Sequence, residues 1–246
     1  MLDRLYRKNE LTFSLAWIFG YVALSALADN LSDLLGFSKI ITALAHVFGA
    51  LLLGIWLHKH GLSHKYGLCA FNGRARDYLY FLPLLLILAT NLRNGVALNA
   101  SATEIVLYVI SMLCVGWIEE ILFRGFLFKA IAKENITQAI LISSITFGLG
   151  HVVNGLNGAD WIPTLLQISY ASANGFLFTI LFYKSQSLLP CIIVHGIFNS
   201  LSIFSVADST LTRHILSSVV LCVICIAYAL WILKRIEFTH ANTLLP

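Results

Sequence analysis

Apolar residues in this chain run in long blocks separated by short polar breaks. Eight blocks stand out, at residues 11–28, 37–57, 78–90, 103–128, 136–153, 164–183, 188–205 and 215–233. A helix crosses the hydrocarbon of a bilayer with about 20 mostly apolar residues, in a range of about 17–25. The pattern therefore predicts an all-α polytopic membrane protein with eight transmembrane helices. The third block is short and is expected to extend into its flanks. The fourth is long and carries charges. With no internal repeat and no low-complexity segment, 1–246 reads as a single membrane domain.

Charge gives an independent test, because cytoplasmic connections are rich in Lys and Arg. With the N-terminus inside, twelve of the sixteen basic residues fall on the inner side: Arg4, Arg7, Lys8, Lys59, Lys65, Arg74, Arg76, Lys129, Lys133, Lys184, Lys234 and Arg235. Lys39, Arg93 and Arg213 fall outside, and Arg124 lies within the fourth block. The alternation is in phase with all eight spans and places both termini in the cytoplasm. A start with Arg4, Arg7 and Lys8, an apolar run and Ala26-Leu27-Ala28 also has the form of a cleavable signal peptide. Its apolar run is longer than the 7–15 residues usual for a signal core.

Composition narrows the class. Apolar residues make up 59% of the 246 and charged residues 11%, against about 45–50% and about 25% in soluble domains. That balance excludes a soluble enzyme, a disordered chain and a secreted disulfide module. A net charge of +4, spread along the chain, excludes a nucleic-acid binder. The five cysteines have no framework spacing, and Cys222-x-x-Cys225 sits in an uncharged apolar run, where packing is the simpler role. His58, His60 and His64 mimic a metal cluster but read as part of a solvated basic loop beside anionic lipid.

Ionisable side chains deep in a membrane are expensive and mark function. The fourth block contains Glu119, Glu120 and Arg124. Glu120 and Arg124 are four residues apart and share a helix face, whereas Glu119 is turned about 100° away and has no helical partner. A carboxylate in a dry, unpaired position is suited to accept a proton near neutral pH. The fifth block ends in Phe147-Gly148-Leu149-Gly150-His151, whose glycines permit close approach of a neighbouring helix, such as the fourth. The seventh contains His195 and Asn199, again four apart, a donor pair of the kind that holds an oxyanion. Counting about 1.5 Å per residue, all four polar groups fall in the inner-to-middle part of the membrane. His46 has no polar partner at helical spacing and reads as a core residue. Gln167, Ser172 and Asn174 are candidates to line a cavity.

At these residues the sequence resembles the CPBP intramembrane proteases, the group containing the CAAX prenyl endopeptidases and the bacterial Abi proteins. Their three marks, E-E-x-x-x-R, F-x-x-x-H and H-x-x-x-N, read here as Glu119-Glu120 with Arg124, Phe147 with His151, and His195 with Asn199. The resemblance covers 119–202 within an expected catalytic core at 103–205. It implies an eight-helix fold whose cavity opens to the cytoplasm. It also implies endopeptidase activity on a membrane-associated protein or lipidated peptide. By position, Glu119 and His151 would activate water, His195 and Asn199 would stabilise the oxyanion, and Glu120, Arg124 and Phe147 would give structural support.

Metal-free catalysis is the preferred reading. The zinc alternative would use Glu119, His151 and His195 with an open position for water. Against it stand the lack of an H-E-x-x-H motif and of an evident acidic partner for either histidine. Two other functions compete: a non-catalytic immunity or scaffold protein of the same fold, and a transporter, which would more often show repeats and broken helices. A compact chain with short loops points to a prokaryotic cell membrane.

Overall fold

The computed structural model describes residues 2–36, 39–98 and 100–235. The expected start of the second span at residue 37, and the tail beyond 235 with its cytoplasmic C-terminus, lie outside the described residues. The described chain is helical throughout. Its one β-type contact is an isolated antiparallel bridge between Val96 and Ser205.

A short helix α1 (Leu2–Lys8) leads into α2 (Glu10–Leu34) and α3 (Ile40–Lys59). After a basic loop come a 3₁₀ segment (Ala75–Phe81) and α4 (Leu84–Thr90). Next, α5 (Ala102–Glu120) runs on through a π-helical stretch (Ile121–Phe128) into α6 (Lys129–Ala132). The remaining helices are α7 (Ile136–Leu149), α8 (Val152–Leu156), α9 (Trp161–Ser185), α10 (Leu189–Leu201) and α11 (Leu211–Arg235).

Helix starts follow the polar breaks. The side chains of Asn9 and Asn135 accept hydrogen bonds from the N–H groups of Thr12 and Gln138. Ser101 and Glu104 form a reciprocal capping box at the head of α5. Each satisfies N–H groups that a helix terminus leaves unpaired.

Six helical stretches are long and apolar enough to cross a membrane: Glu10–Leu34, Ile40–Lys59, Ala102–Ala132, Ile136–Leu156, Trp161–Ser185 and Leu211–Arg235. The protein is a multi-pass integral membrane protein. The other two expected spans are realised as shorter elements. The seventh is α10 with its 3₁₀ extension, Leu189–Phe204. The third is divided near Pro83 into the 3₁₀ segment and α4, since proline supplies no N–H to continue a helix.

His46 on α3 meets Ser111 on α5, and Gly49 lies against Ile118, so α3 and α5 run in the same direction. Between them, Tyr80 of the 3₁₀ segment accepts a hydrogen bond from Tyr228 near the end of α11, and Asn91, which caps the end of α4, donates to the carbonyl of Phe198 on α10.

The bundle has two unlike halves. The basic half, which carries Lys65, Lys129, Lys133 and Lys184, is packed solid. Phe126, Phe128, Phe178, Phe182, Leu127 and Leu188 are all essentially inaccessible. Leu188 donates its N–H to the carbonyl of Gly67, tying the basic loop to the start of α10. Lys65 bonds Glu10 at 2.7 Å and the hydroxyl of Tyr6 at 2.7 Å. Burial opposes the Lys65 charge, yet these hydrogen bonds prevail and hold its ammonium above the usual lysine range. In the same half, the indole N–H of Trp56 donates to Asp3 and holds that carboxyl below its ordinary range. The opposite half is hollow.

Candidate active site

The hollow is a cavity of about 890 Å³, within the size range of small-molecule and cofactor sites. Glu119, His151, His195 and Asn199 all line it. The structure thus brings together the four polar residues that the sequence distributes over three helices.

The central contact is a backbone-to-backbone crossing of α5 and α10. A Cβ placed on Gly116 would lie 2.6 Å from the backbone nitrogen of Gly196 and 2.8 Å from its Cα. Only glycine permits this approach. It sets His195 directly against the adjacent carboxylates of α5. The glycines expected to do this work, Gly148 and Gly150, do not face α5. Gly148 packs on Ile168 and Ser172 of α9, and the neighbours of Gly150 are carbonyls of its own helix.

Glu120 and Arg124 form the expected ion pair, Nη1 to Oε1 at 3.0 Å, with both side chains fully buried. The same Glu120 oxygen lies 2.8 Å from Nδ1 of His195. The guanidinium of Arg124 stacks 4.1 Å from the ring centre of Phe147, a cation–π contact that offsets part of its desolvation. Phe147 also meets the rings of His151 and His195 edge-on, at 5.9 and 5.5 Å. One aromatic ring therefore braces the arginine and both imidazoles.

Glu119 is the more accessible carboxylate, with 14% of its side chain exposed. Its Oε2 is 3.6 Å from Nε2 of His195, and its Oε1 accepts a hydrogen bond from the hydroxyl of Tyr21 at 2.8 Å. His195 thus stands between the two glutamates, one at each ring nitrogen. Tyr21 comes from α2, outside the resembling segment, and no spacing rule singles it out. Its signal is geometric only: a phenol carried to the level of Glu119 by helix packing. His151 sits at the break between α7 and α8 and shares the cavity with Glu119; among the described residues no hydrogen bond joins them. His46 is buried as expected, and serines of two other helices meet its ring nitrogens: Ser111 at 2.8 Å and Ser25 at 3.0 Å. Gln167 and Asn174 line the cavity.

Glu120 corrects one premise about metals: His195 does have an acidic partner. A metal site is nevertheless not supported, since no group of three His, Cys, Asp or Glu is placed to hold an ion among the described residues. Phe147 packs edge-on against both imidazoles, and Nε2 of His195 lies 3.6 Å from Glu119.

The cavity walls come from the end of the bundle opposite the basic loops. Tyr21, Ser25 and Asp29 mark its course along α2, and Glu119, Val115, Met112 and Tyr108 along α5. The lining ends at Arg93, Val206, Ala207 and Asp208 in the connections. No residue of the basic loops takes part.

Fold and site together define a polytopic membrane protein with a buried polar cavity. Residues 101–201 match the family model for type II CAAX prenyl endopeptidase Rce1-like proteins. That match supports a CPBP family intramembrane protease, and the matched segment contains all three motifs. No curated protein and no solved structure matches the chain.

Proposed function

We propose that this protein is an intramembrane endopeptidase in which Glu119 and His151 activate water and His195 and Asn199 hold the oxyanion. The observation that carries this reading is the convergence of these four residues, from three helices of the family-matched segment, on one cavity. Peptide hydrolysis needs an acceptor for the proton of water and donors for the charge that develops on the carbonyl oxygen. Glu119 takes the proton as the water oxygen attacks the carbonyl carbon. The tetrahedral oxyanion collapses, the C–N bond breaks, and the departing nitrogen receives the proton from Glu119 or His151.

Glu120 gives the two carboxylates different roles. It accepts from Nδ1–H of His195 and from Arg124, which fixes the ring orientation and leaves Nε2 facing the cavity. For Nε2 to donate to an oxyanion while Nδ1–H is held, the ring must carry both protons, and Glu119 and Glu120 together face the two cations, the imidazolium and the Arg124 guanidinium. Tyr21 holds Glu119 from the other side. Eight passes with both termini cytoplasmic complete the reading, α4 and α10 being the two short ones. The substrate is a membrane-associated polypeptide. The name of the matched family mentions prenylated CAAX proteins, and whether this chain meets such substrates turns on which side its cavity opens. The test is comparative peptidomics of membranes from cells carrying the wild type and Glu119→Ala at equal expression. Peptides that disappear in the variant support the reading; unchanged turnover would sink it.

A further inference from the structure

We infer that His46 is a positioning residue for Glu119, acting through Ser25 and Tyr21 along one chain of hydrogen bonds drawn from α2, α3 and α5. The inference deepens the peptidase reading and rests on it for what Glu119 does. The chain itself rests on geometry.

His46 is the buried titratable group that the proposed reaction leaves unused, yet both of its ring nitrogens are engaged. Nδ1 lies 2.8 Å from the hydroxyl of Ser111 on α5, and Nε2 lies 3.0 Å from that of Ser25 on α2. Tyr21 stands one helical turn before Ser25, so the two share a face of α2, and the Ser25 hydroxyl interacts with the Tyr21 phenol. The Tyr21 ring also packs against His46, with centroids 6.0 Å apart. From there the phenol donates to Oε1 of Glu119 at 2.8 Å. Tyr21, Ser25, His46 and Glu119 all line the cavity, and Ser111 is buried. The other charges that act on His46 are Asp29 and Lys39, which bond each other at 2.8 Å. Among the described residues no hydrogen bond joins His46 to Glu119 directly, so its influence passes through the two hydroxyls.

Counting hydrogens gives the chain a direction. A neutral imidazole carries one N–H, and a hydroxyl donates once. If the hydrogen is on Nε2, Ser111 donates to Nδ1, Nε2–H donates to Ser25, Ser25 donates to Tyr21, and Tyr21 donates to Glu119. Every donor then points towards the carboxylate, and each bond polarises the next. If the hydrogen is on Nδ1, Ser25 spends its own hydrogen on Nε2 and has none for Tyr21. The negative charge of Glu119 favours the first arrangement, because it presents the positive end of every bond dipole to the carboxylate. The phenol is then held on Oε1, which leaves Oε2 to water and to His195. A staple that served only to join three helices would be indifferent to which ring nitrogen carries the hydrogen; the chain is not.

The test has one arm without substrate and one with it. The full-length protein with isotope-labelled histidine ring nitrogens is followed by NMR in detergent, and the His46 signals are assigned by their absence in His46→Gln. The hydrogen is expected on Nε2. Glu119→Gln is expected to move the Nε2 signal, and to lose that effect when Tyr21→Phe is also present. A hydrogen on Nδ1, or an equal movement with and without the phenol, overturns the inference. In the second arm, membrane peptides that depend on Glu119, judged against Glu119→Gln, are quantified at equal expression. His46→Leu is expected to lower them roughly two- to fivefold, the scale on which a buried chain strengthens its last, charge-assisted bond. His46→Gln, whose amide donates at one atom and accepts at the other, should restore them. Ser25→Ala breaks the chain without touching the buried ring and should give the same loss, and combining it with His46→Leu should add nothing, as for one connected network. Wild-type levels in Ser25→Ala, multiplied losses in the double variant, or a His46→Gln as impaired as His46→Leu would each overturn the inference. If no peptide depends on Glu119, the peptidase reading fails, while the NMR arm still decides whether His46 is coupled to that carboxylate.

Discussion

The two ends of this bundle use polar side chains in opposite ways. At the basic end, Lys65, Glu10, Tyr6 and Lys133 are bonded to one another around a packed aromatic cluster, and little space is left. At the other end, Asn154, Asn174 and Asn199 face a cavity of about 890 Å³. The site sits at the boundary. Glu120 and Arg124 belong to the packed side and Glu119 to the hollow side, although the two glutamates are adjacent in sequence. A helix turn of about 100° per residue therefore separates a carboxylate locked in a buried ion pair from one that faces the cavity.

The sharpest way to break this comparison is to alter each glutamate in turn. Glu119→Gln should reduce peptide hydrolysis by about 10²-fold or more, the lower end of what a general base contributes, and leave thermal unfolding in detergent nearly unchanged. A stability loss as large as that of a packed-side variant would erase the distinction. Arg124→Met strands Glu120 without its partner, and breaking a buried pair costs about 3–5 kcal/mol. Its signature should be a lowered unfolding temperature and poor accumulation in the membrane. Gly116→Ala should cost about 1–3 kcal/mol by overpacking and depress turnover as well, because it pushes His195 away from both glutamates. Tyr21→Phe removes a hydrogen bond to a carboxylate, worth about 1.5–3 kcal/mol where the acceptor is charged. It should mainly change the pH profile of turnover, with folding retained. Smallest of all, Glu10→Gln at the partly exposed edge of the packed end should shift stability by about 0–1 kcal/mol and leave activity alone.

Much of this was legible in the sequence for identifiable reasons. Long helices announce themselves through continuous apolar runs, and the Glu120–Arg124 pair follows from four-residue spacing on one helix. Features that depend on two helices meeting were not legible. Tyr21 reaches Glu119 across 98 positions of chain, and Gly116 looks like any glycine in an apolar helix until Gly196 is placed opposite. The π-helical stretch at Ile121–Phe128 carries no composition signal. The third block looks merely short in the sequence, yet it is divided near Pro83 into a 3₁₀ segment and α4. Spacing pairs His195 with Asn199, and nothing on its own helix discloses the Glu120 carboxylate at its Nδ1.

The hollow has one further consequence. It is continuous with one end of the bundle, while Ile121–Phe128 is buried towards the other. Hydrolysis consumes water as well as a peptide bond, so under the proposed reading the same hollow has to admit both reactants, and a bound chain that filled it would also govern the supply of water to Glu119.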